Sequence, residues 1–392
     1  MKLRSMPRLT MPRVTLFALV GSAVAITLFK LGSLVPGFAG AERQLPSLTD
    51  SLQSLWNDPL SLPFTLSQAF VAAIAPSAGY TVSRLPAVLL GLLLVALIYW
   101  LLKQWYGTRL ALFGVLLLIT APWFLHVARV ASPSIQYALA MSIVLVLAML
   151  WHKKERPRKL LYATALAAAG LLYIPGAVWL LICVLLAERH TIIGSIKHNT
   201  LHTTLASLLG LAALTPLIHS LIVDWHRYAS YLGWFGGLDK ITDYGQQFVL
   251  VWWHIFVGGY TNPTYNLAGL ALTNIFMTLS FVVGLYLYSR HPKATRTRLL
   301  LALWLVATAL VTLPGPVHIS LLLPLVIVVV TGGIGYLLHL WLKVFPRNPL
   351  ARWFGIGLVA LVVLFAVGYN LRSYFVAWPN NADTRTTFSR QL

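Results

Sequence analysis

The sequence has one cysteine in 392 residues, and Cys183 sits in an apolar run, so disulfides and cysteine metal sites are excluded. Carboxylates are nearly as scarce. Nine Asp and Glu face 29 Lys and Arg, and charged residues make up only 10% of the chain. A soluble domain carries about 25% charged residues, so the 58% hydrophobic content here indicates a different solvent. Walker-type loops and nucleophile elbows are missing. Gly332, Gly333 and Gly335 form no dinucleotide fingerprint, because they lie inside an apolar run with no strand before them. Close helix packing explains them better. These absences remove an ATP-driven pump and nucleotide chemistry. The net charge of +20 does not point to nucleic acid either, since the positives fall in short segments between apolar runs rather than in a basic domain. No internal repeat and no low-complexity segment is present.

What the chain does have is a succession of apolar stretches near the length of about 20 residues that crosses a bilayer. The expected fold is an all-α polytopic membrane protein with about 11 transmembrane helices. They fall near 14–33, 84–103, 109–127, 133–151, 159–173, 175–188, 201–222, 267–289, 298–314, 318–342 and 351–370. The fifth and sixth are short, and Tyr173-Ile174-Pro175-Gly176 separates them, as expected of half-length helices meeting inside a bundle. Only Glu155 and Glu188 among the nine acids fall on the side that takes most of the Lys and Arg. The positive-inside rule then puts the N-terminus inside and the C-terminus outside a plasma membrane. Residues 1–392 read as a single transmembrane domain, with long outer loops at 36–83 and 223–266. The N-terminal segment also resembles a signal peptide, with Ala39-Gly40-Ala41 as the cleavage triplet. Its apolar run ends near Phe29, well before that triplet, which favours an uncleaved first span.

The first outer loop reads as two amphipathic helices near 43–56 and 63–75, parted by Asn57-Asp58-Pro59 and suited to lie in the interface. The second carries Trp225, Tyr228, Tyr231, Trp234, Trp252, Trp253, Tyr260 and Tyr265. These fit an aromatic belt at the headgroups or a platform for a sugar or lipid.

Glu42 opens the first outer loop, where a partly desolvated carboxylate can serve as a general base; the plain alternative is a loop or helix-start acid. Asp50 and Asp58 are weaker candidates, and an Asx turn before Pro59 accounts for Asp58. Arg84 stands at the outer start of the second span and Arg129 at the outer end of the third. Singly they read as snorkelling residues. Together they suit an anionic lipid phosphate. His318 enters the tenth span from the same side and is either a cavity residue, placed with Arg84 and Arg129 as a donor-phosphate candidate, or an interfacial histidine. Asp224 and His226, with Asp239, Asp243 or His254, offer oxygen and nitrogen ligands; no metal site is assigned, and a divalent cation is the one cofactor left open. Asp224, Trp225, His226 and Trp252 are the acceptor-side candidates. Asp383 in the tail reads as solvated.

The order of these elements resembles the GT-C superfamily of integral membrane glycosyltransferases, closest to its protein O-mannosyltransferase and lipid A aminoarabinose transferase branches. The resemblance is strongest in residues 1–150. A span is followed by an acid-bearing outer loop, then Arg84-Leu85-Pro86-Ala87-Val88-Leu89-Leu90-Gly91, then Trp105-Tyr106-Gly107-Thr108-Arg109, and then Ala121-Pro122 through His126 and Arg129 to Ser132-Pro133-Ser134. Val317-His318-Ile319 and Leu322-Leu323-Pro324 are similar to the family's entry into a late span. The resemblance implies a polyprenyl-phosphate sugar donor and inversion at the sugar carbon. The acceptor would be a glycan, lipid or protein. The family's acidic motif falls on Ala41-Glu42, which makes Glu42 the base, and its phosphate-side arginines fall on Arg84 and Arg129. The sequence departs from the family where Ala41 and Ser134 replace carboxylates. Two other classes compete: a transporter or flippase for lipid-linked glycans, and a non-catalytic relative that binds a lipid or partner. The first expects mid-membrane charges and paired repeats, which are scarce here.

Overall fold

Apolar runs with no backbone partner outside themselves must become helices in a bilayer, and the described residues follow that rule. The computed structural model describes residues 13–35, 37–39, 42, 56, 58–75, 79–153, 158–234, 241–260, 262–267, 269–313 and 315–388, with backbone alone at 13, 14, 72 and 241–243. Among these residues there is no strand, only one isolated antiparallel bridge between Gly258 and Leu270. Ala41, Asp50, Asp239 and nearly all of the expected 43–56 helix lie outside the described residues, and so does the side chain of Asp243.

The first half comprises α1 (Arg13–Leu28), α2 (Leu62–Ile74), α3 (Tyr80–Tyr106), α4 (Thr108–Thr120), α5 (Pro122–Arg129), α6 (Ser134–Trp151), α7 (Lys159–Leu172) and α8 (Ala177–Ala187). It continues through α9 (Arg189–His198), α10 (Thr200–Ala213), α11 (Thr215–Val223), α12 (Arg227–Tyr231) and α13 (Ile241–Phe256). The last part holds α14 (Ile275–Ser289), α15 (Thr295–Thr312), a short 3-10 turn Ile319–Leu322, α16 (Leu323–Val344) and α17 (Pro349–Arg372). A π turn, Ser373–Ala377, leads into α18 (Trp378–Asn380) and α19 (Ala382–Thr387).

Among the described residues five helices are long and apolar enough to cross a membrane, or up to eight if each of three bent pairs is one span. Shorter apolar helices at Thr15–Leu28, Lys159–Leu172 and Ile275–Ser289 occupy further expected positions. Three expectations differ from what is found, the first being the run 201–222, which bends by 51° between α10 and α11. The run 109–127 is not one straight span: α4 and α5 meet at 60° across Ala121-Pro122, because a proline gives no N–H to continue the ladder and its ring collides with the preceding turn. The second long loop contains a helix, α13, over Ile241–Phe256.

α6 and the first half of α16 are almost wholly buried and form the centre of the bundle. α14 packs closely on α16, since Gly333 lies where any added methyl would overlap the Ser280 carbonyl, and Gly284 likewise meets the Val329 backbone. This bears out close packing as the reason for the glycines of α16. A separate small core of Trp151, Leu160, Leu161 and Ala206 joins α7 to α10. α17 instead exposes Leu350, Trp353, Phe354, Leu361, Leu364 and Phe365, an apolar surface that only lipid or another apolar partner satisfies.

Candidate active site

Three elements meet where α3 begins and α5 ends. Arg129 is the last residue of α5, where the helix dipole favours a cation. Val130 is extended, and the following Ser132 precedes Pro133, which biases the chain away from helix until α6 opens at Ser134. This short connection turns the Ala131 N–H toward Glu42, which it meets at 2.9 Å.

Glu42 and Arg84 form a two-pronged ion pair, with Nε donating to Oε1 at 2.8 Å and Nη2 to Oε2 at 3.0 Å. The Ala39 N–H donates to Oε2 at 3.0 Å. A carboxylate has about four acceptor positions, so Glu42 is saturated. Arg84 is held as firmly, since Nη1 reaches the Leu31 carbonyl at 3.0 Å and Nη2 the Gly37 carbonyl at 2.8 Å. Both residues are buried.

Arg129 lies beside this pair. Its guanidinium donates to the carbonyls of Ile26 and Phe29 and packs over the rings of Tyr374 and Phe375, at 5.1 and 4.9 Å from their centroids. Its Nε is buried with no hydrogen-bond partner among the described residues. A cavity of only about 10 Å³ separates Arg84 from Arg129, room for about one water and not for a phosphate. The three residues that sequence reasoning placed together therefore do meet, but in a packed knot rather than an open cleft.

Residues close by were not anticipated. Tyr374, Trp378 and Phe388 from the C-terminal segment cover the knot, all buried, and Trp378 Nε1 donates to the Pro263 carbonyl at 2.7 Å. The ring of His126 lies against Tyr374 and Trp378. The signal was the cluster Tyr374-Phe375-Val376-Ala377-Trp378 directly after an apolar helix, too aromatic for a free tail.

Residues 61–222 match the family model described as dolichyl-phosphate-mannose-protein mannosyltransferase. The fold is similar to ArnT from Cupriavidus metallidurans bound to undecaprenyl phosphate, with a TM-score of 0.55 and 13% identity, covering 96% of this chain and 77% of that one. The apo form of the same protein gives 0.50 and 12% over the same shares. No curated protein sequence matches the chain. By fold the chain is similar to ArnT.

The segment that matches the family model contains Arg84, Arg129 and Ser134 and leaves Glu42 and His318 outside. Ser134, one of the two departures, accepts a hydrogen bond on its Oγ from Ser132 Oγ at 2.9 Å and one on its carbonyl from Ser320 Oγ at 2.6 Å. His318 caps the 3-10 turn, with Nδ1 accepting from the Ser320 N–H at 3.2 Å and the ring 4.7 Å from Tyr265. Desolvation lowers its pKa to about 4, so it is neutral at pH 7. The remaining candidates lie apart from the knot. Arg227 bonds Asp58 at 3.3 Å and Asp224 at 3.1 Å, joining the two long loops. Asp224 Oδ1 also accepts from the His226 N–H, and Trp225 is exposed on the His226 ring. Trp252, expected on a platform, stacks on Trp304 at 5.2 Å and on Phe256 as part of the core packing. Among the described residues no three His, Cys, Asp or Glu come together as a metal site.

Proposed function

We propose that the chain is an inverting glycosyltransferase that takes one sugar from a polyprenyl-phosphate donor on the outer face of the plasma membrane and transfers it to a glycan, lipid or protein. The observation that carries this reading is the buried meeting of one acid and two arginines, Glu42, Arg84 and Arg129, at one end of a GT-C bundle. The outer location rests on the positive-inside distribution.

In this reading the acceptor hydroxyl gives its proton to the Glu42 carboxylate while its oxygen attacks the sugar carbon from the face opposite the phosphate. The bond from that carbon to the phosphate oxygen breaks, and polyprenyl phosphate leaves as an anion. Arg84 and Arg129 stabilise the charge growing on the leaving oxygen. Because Glu42 is saturated in the closed knot, donor binding has to precede base action. The donor phosphate draws Arg84 away from Glu42, which frees a carboxylate oxygen.

The saturation of Glu42, with Ala41 and Ser134 at the two departing positions, favours a second reading: a non-catalytic relative that binds the lipid phosphate. Sugar transfer from radiolabelled lipid-phosphate donors, compared between wild type and Glu42→Gln, separates the two. Transfer lost in Glu42→Gln, with donor binding kept, supports the transferase. Undiminished transfer by the variant removes Glu42 as base, and donor retention without turnover by wild type supports the binding protein.

A further inference from the structure

A second, roomier cavity lies away from the Glu42 knot. It measures about 580 Å³ and lies at the opposite end of α3, under Trp105 and Tyr106 and between α14, α15 and α16. From Arg84 to Tyr106 a helix rises about 33 Å, roughly the thickness of a bilayer's hydrocarbon core.

Its lining is strongly basic. Arg290, Lys293 and Arg296 contribute three fixed positive charges, with His291 and His339 beside them, and no Asp or Glu lines it. The described carboxylates are committed or remote: Glu42 pairs with Arg84, Asp58 and Asp224 with Arg227, Glu188 with His152, and Asp383 sits in α19.

Arg296 is the built part of the site. Its guanidinium sits 4.1 Å from the Trp105 ring centroid and 4.4 Å from that of Tyr106, and Nη2 donates to the Tyr288 hydroxyl at 2.9 Å. The Tyr106 hydroxyl bonds that of Tyr288 and the Val328 carbonyl, which locks both rings. Gly332 permits this, since a methyl there would come within 2.9 Å of the Tyr106 hydroxyl oxygen. The Nε of Arg296 is buried with no hydrogen-bond partner among the described residues. A rigid, largely desolvated cation with spare donors and no counter-charge is costly until an anion arrives. Guanidinium and ammonium donors together suit the oxygens of a phosphate.

We propose that this cavity is a phosphate-group binding site, separate from the Glu42 knot, that takes the headgroup of an anionic lipid or a soluble phosphate through Arg290, Lys293 and Arg296. The test uses the purified full chain in detergent, with native mass spectrometry against phosphatidylglycerol, phosphatidylcholine and inorganic phosphate. Phosphatidylglycerol is expected to be retained over phosphatidylcholine. Arg290→Gln/Lys293→Gln should weaken that retention by about a hundredfold, roughly tenfold for each charge-assisted bond lost. Both replaced side chains are exposed, so folding is preserved, and an unchanged melting temperature checks this. Arg298→Gln, on the same helix as Arg296 but outside the lining, should bind as wild type. Retention that survives excess inorganic phosphate identifies a lipid source. Phosphate that binds and displaces the lipid identifies a soluble one. Equal binding of both lipids with no phosphate binding, or equal binding by wild type and the double variant, overturns the proposal.

Discussion

Glu42 and Arg84 stand 42 residues apart in sequence and share two hydrogen bonds in a site with almost no solvent access. Removing one member of such a pair leaves the other charge buried and unpaired, at a cost of about 3–5 kcal/mol. Glu42→Ala and Arg84→Met should therefore each lower the melting temperature sharply. Glu42→Ala also strands the Ala39 and Ala131 N–H groups. The double variant Glu42→Leu/Arg84→Met removes both charges, so its loss should fall well below the sum of the single losses. Additive losses in a thermal unfolding series would show that the pair is not coupled.

The helices were largely legible in the sequence because a bilayer imposes one length and one backbone solution on every crossing. Tyr80–Tyr106, Ser134–Trp151 and Ile319–Val344 lie close to the expected spans at 84–103, 133–151 and 318–342. The turn at Ala121-Pro122 was also written in the sequence, in a proline that the apolar run concealed. The site was legible by residue type but not by state. An acid and two arginines on one side can be read from charge placement. That Glu42 takes two backbone donors, and that Tyr374 and Trp378 return to cover Arg129, depends on contacts across the whole chain that no local pattern encodes. Trp252 shows the same limit, since no local pattern in a loop segment reveals that α13 stacks it on Trp304.

Arg129 owes part of its fixation to flat rings on its guanidinium, which a lysine cannot reproduce. Arg129→Lys keeps the charge and should lose about 1–2 kcal/mol of stability through the Tyr374 and Phe375 contacts. Trp378→Ala empties a fully buried site and should cost about 3–5 kcal/mol. It should also release the C-terminal segment to limited proteolysis between Trp378 and Phe388. A cleavage pattern identical to wild type would mean that the segment is not held by Trp378.

His318 links pH to stability with a definite sign. Its folded pKa of about 4 lies below the ordinary 6.5, so between these values the unfolded chain binds more protons than the folded one. The stability associated with neutral His318 is fully present above pH 6.5 and is lost as pH falls through about 4. Protonation of Nδ1 would also break its bond from the Ser320 N–H. Melting temperatures measured from pH 7 to pH 4 should decline, and His318→Asn, which retains an acceptor and cannot titrate, should flatten the decline. A parallel decline in the variant would assign the effect to other groups.

Asp58 gives the opposite expectation from Glu42. Its side chain is 66% exposed and its bond to Arg227 measures 3.3 Å, a geometry worth about 0–1 kcal/mol in water. Asp58→Asn should leave the melting temperature almost unchanged. If Glu42 is the acid that activates the acceptor, Asp58→Asn should also leave sugar transfer nearly intact, while Glu42→Gln abolishes it. Transfer lost in Asp58→Asn at unchanged stability would move the chemistry from the buried knot to the loop junction. Arg227 would then hold a catalytic carboxylate rather than fasten two loops.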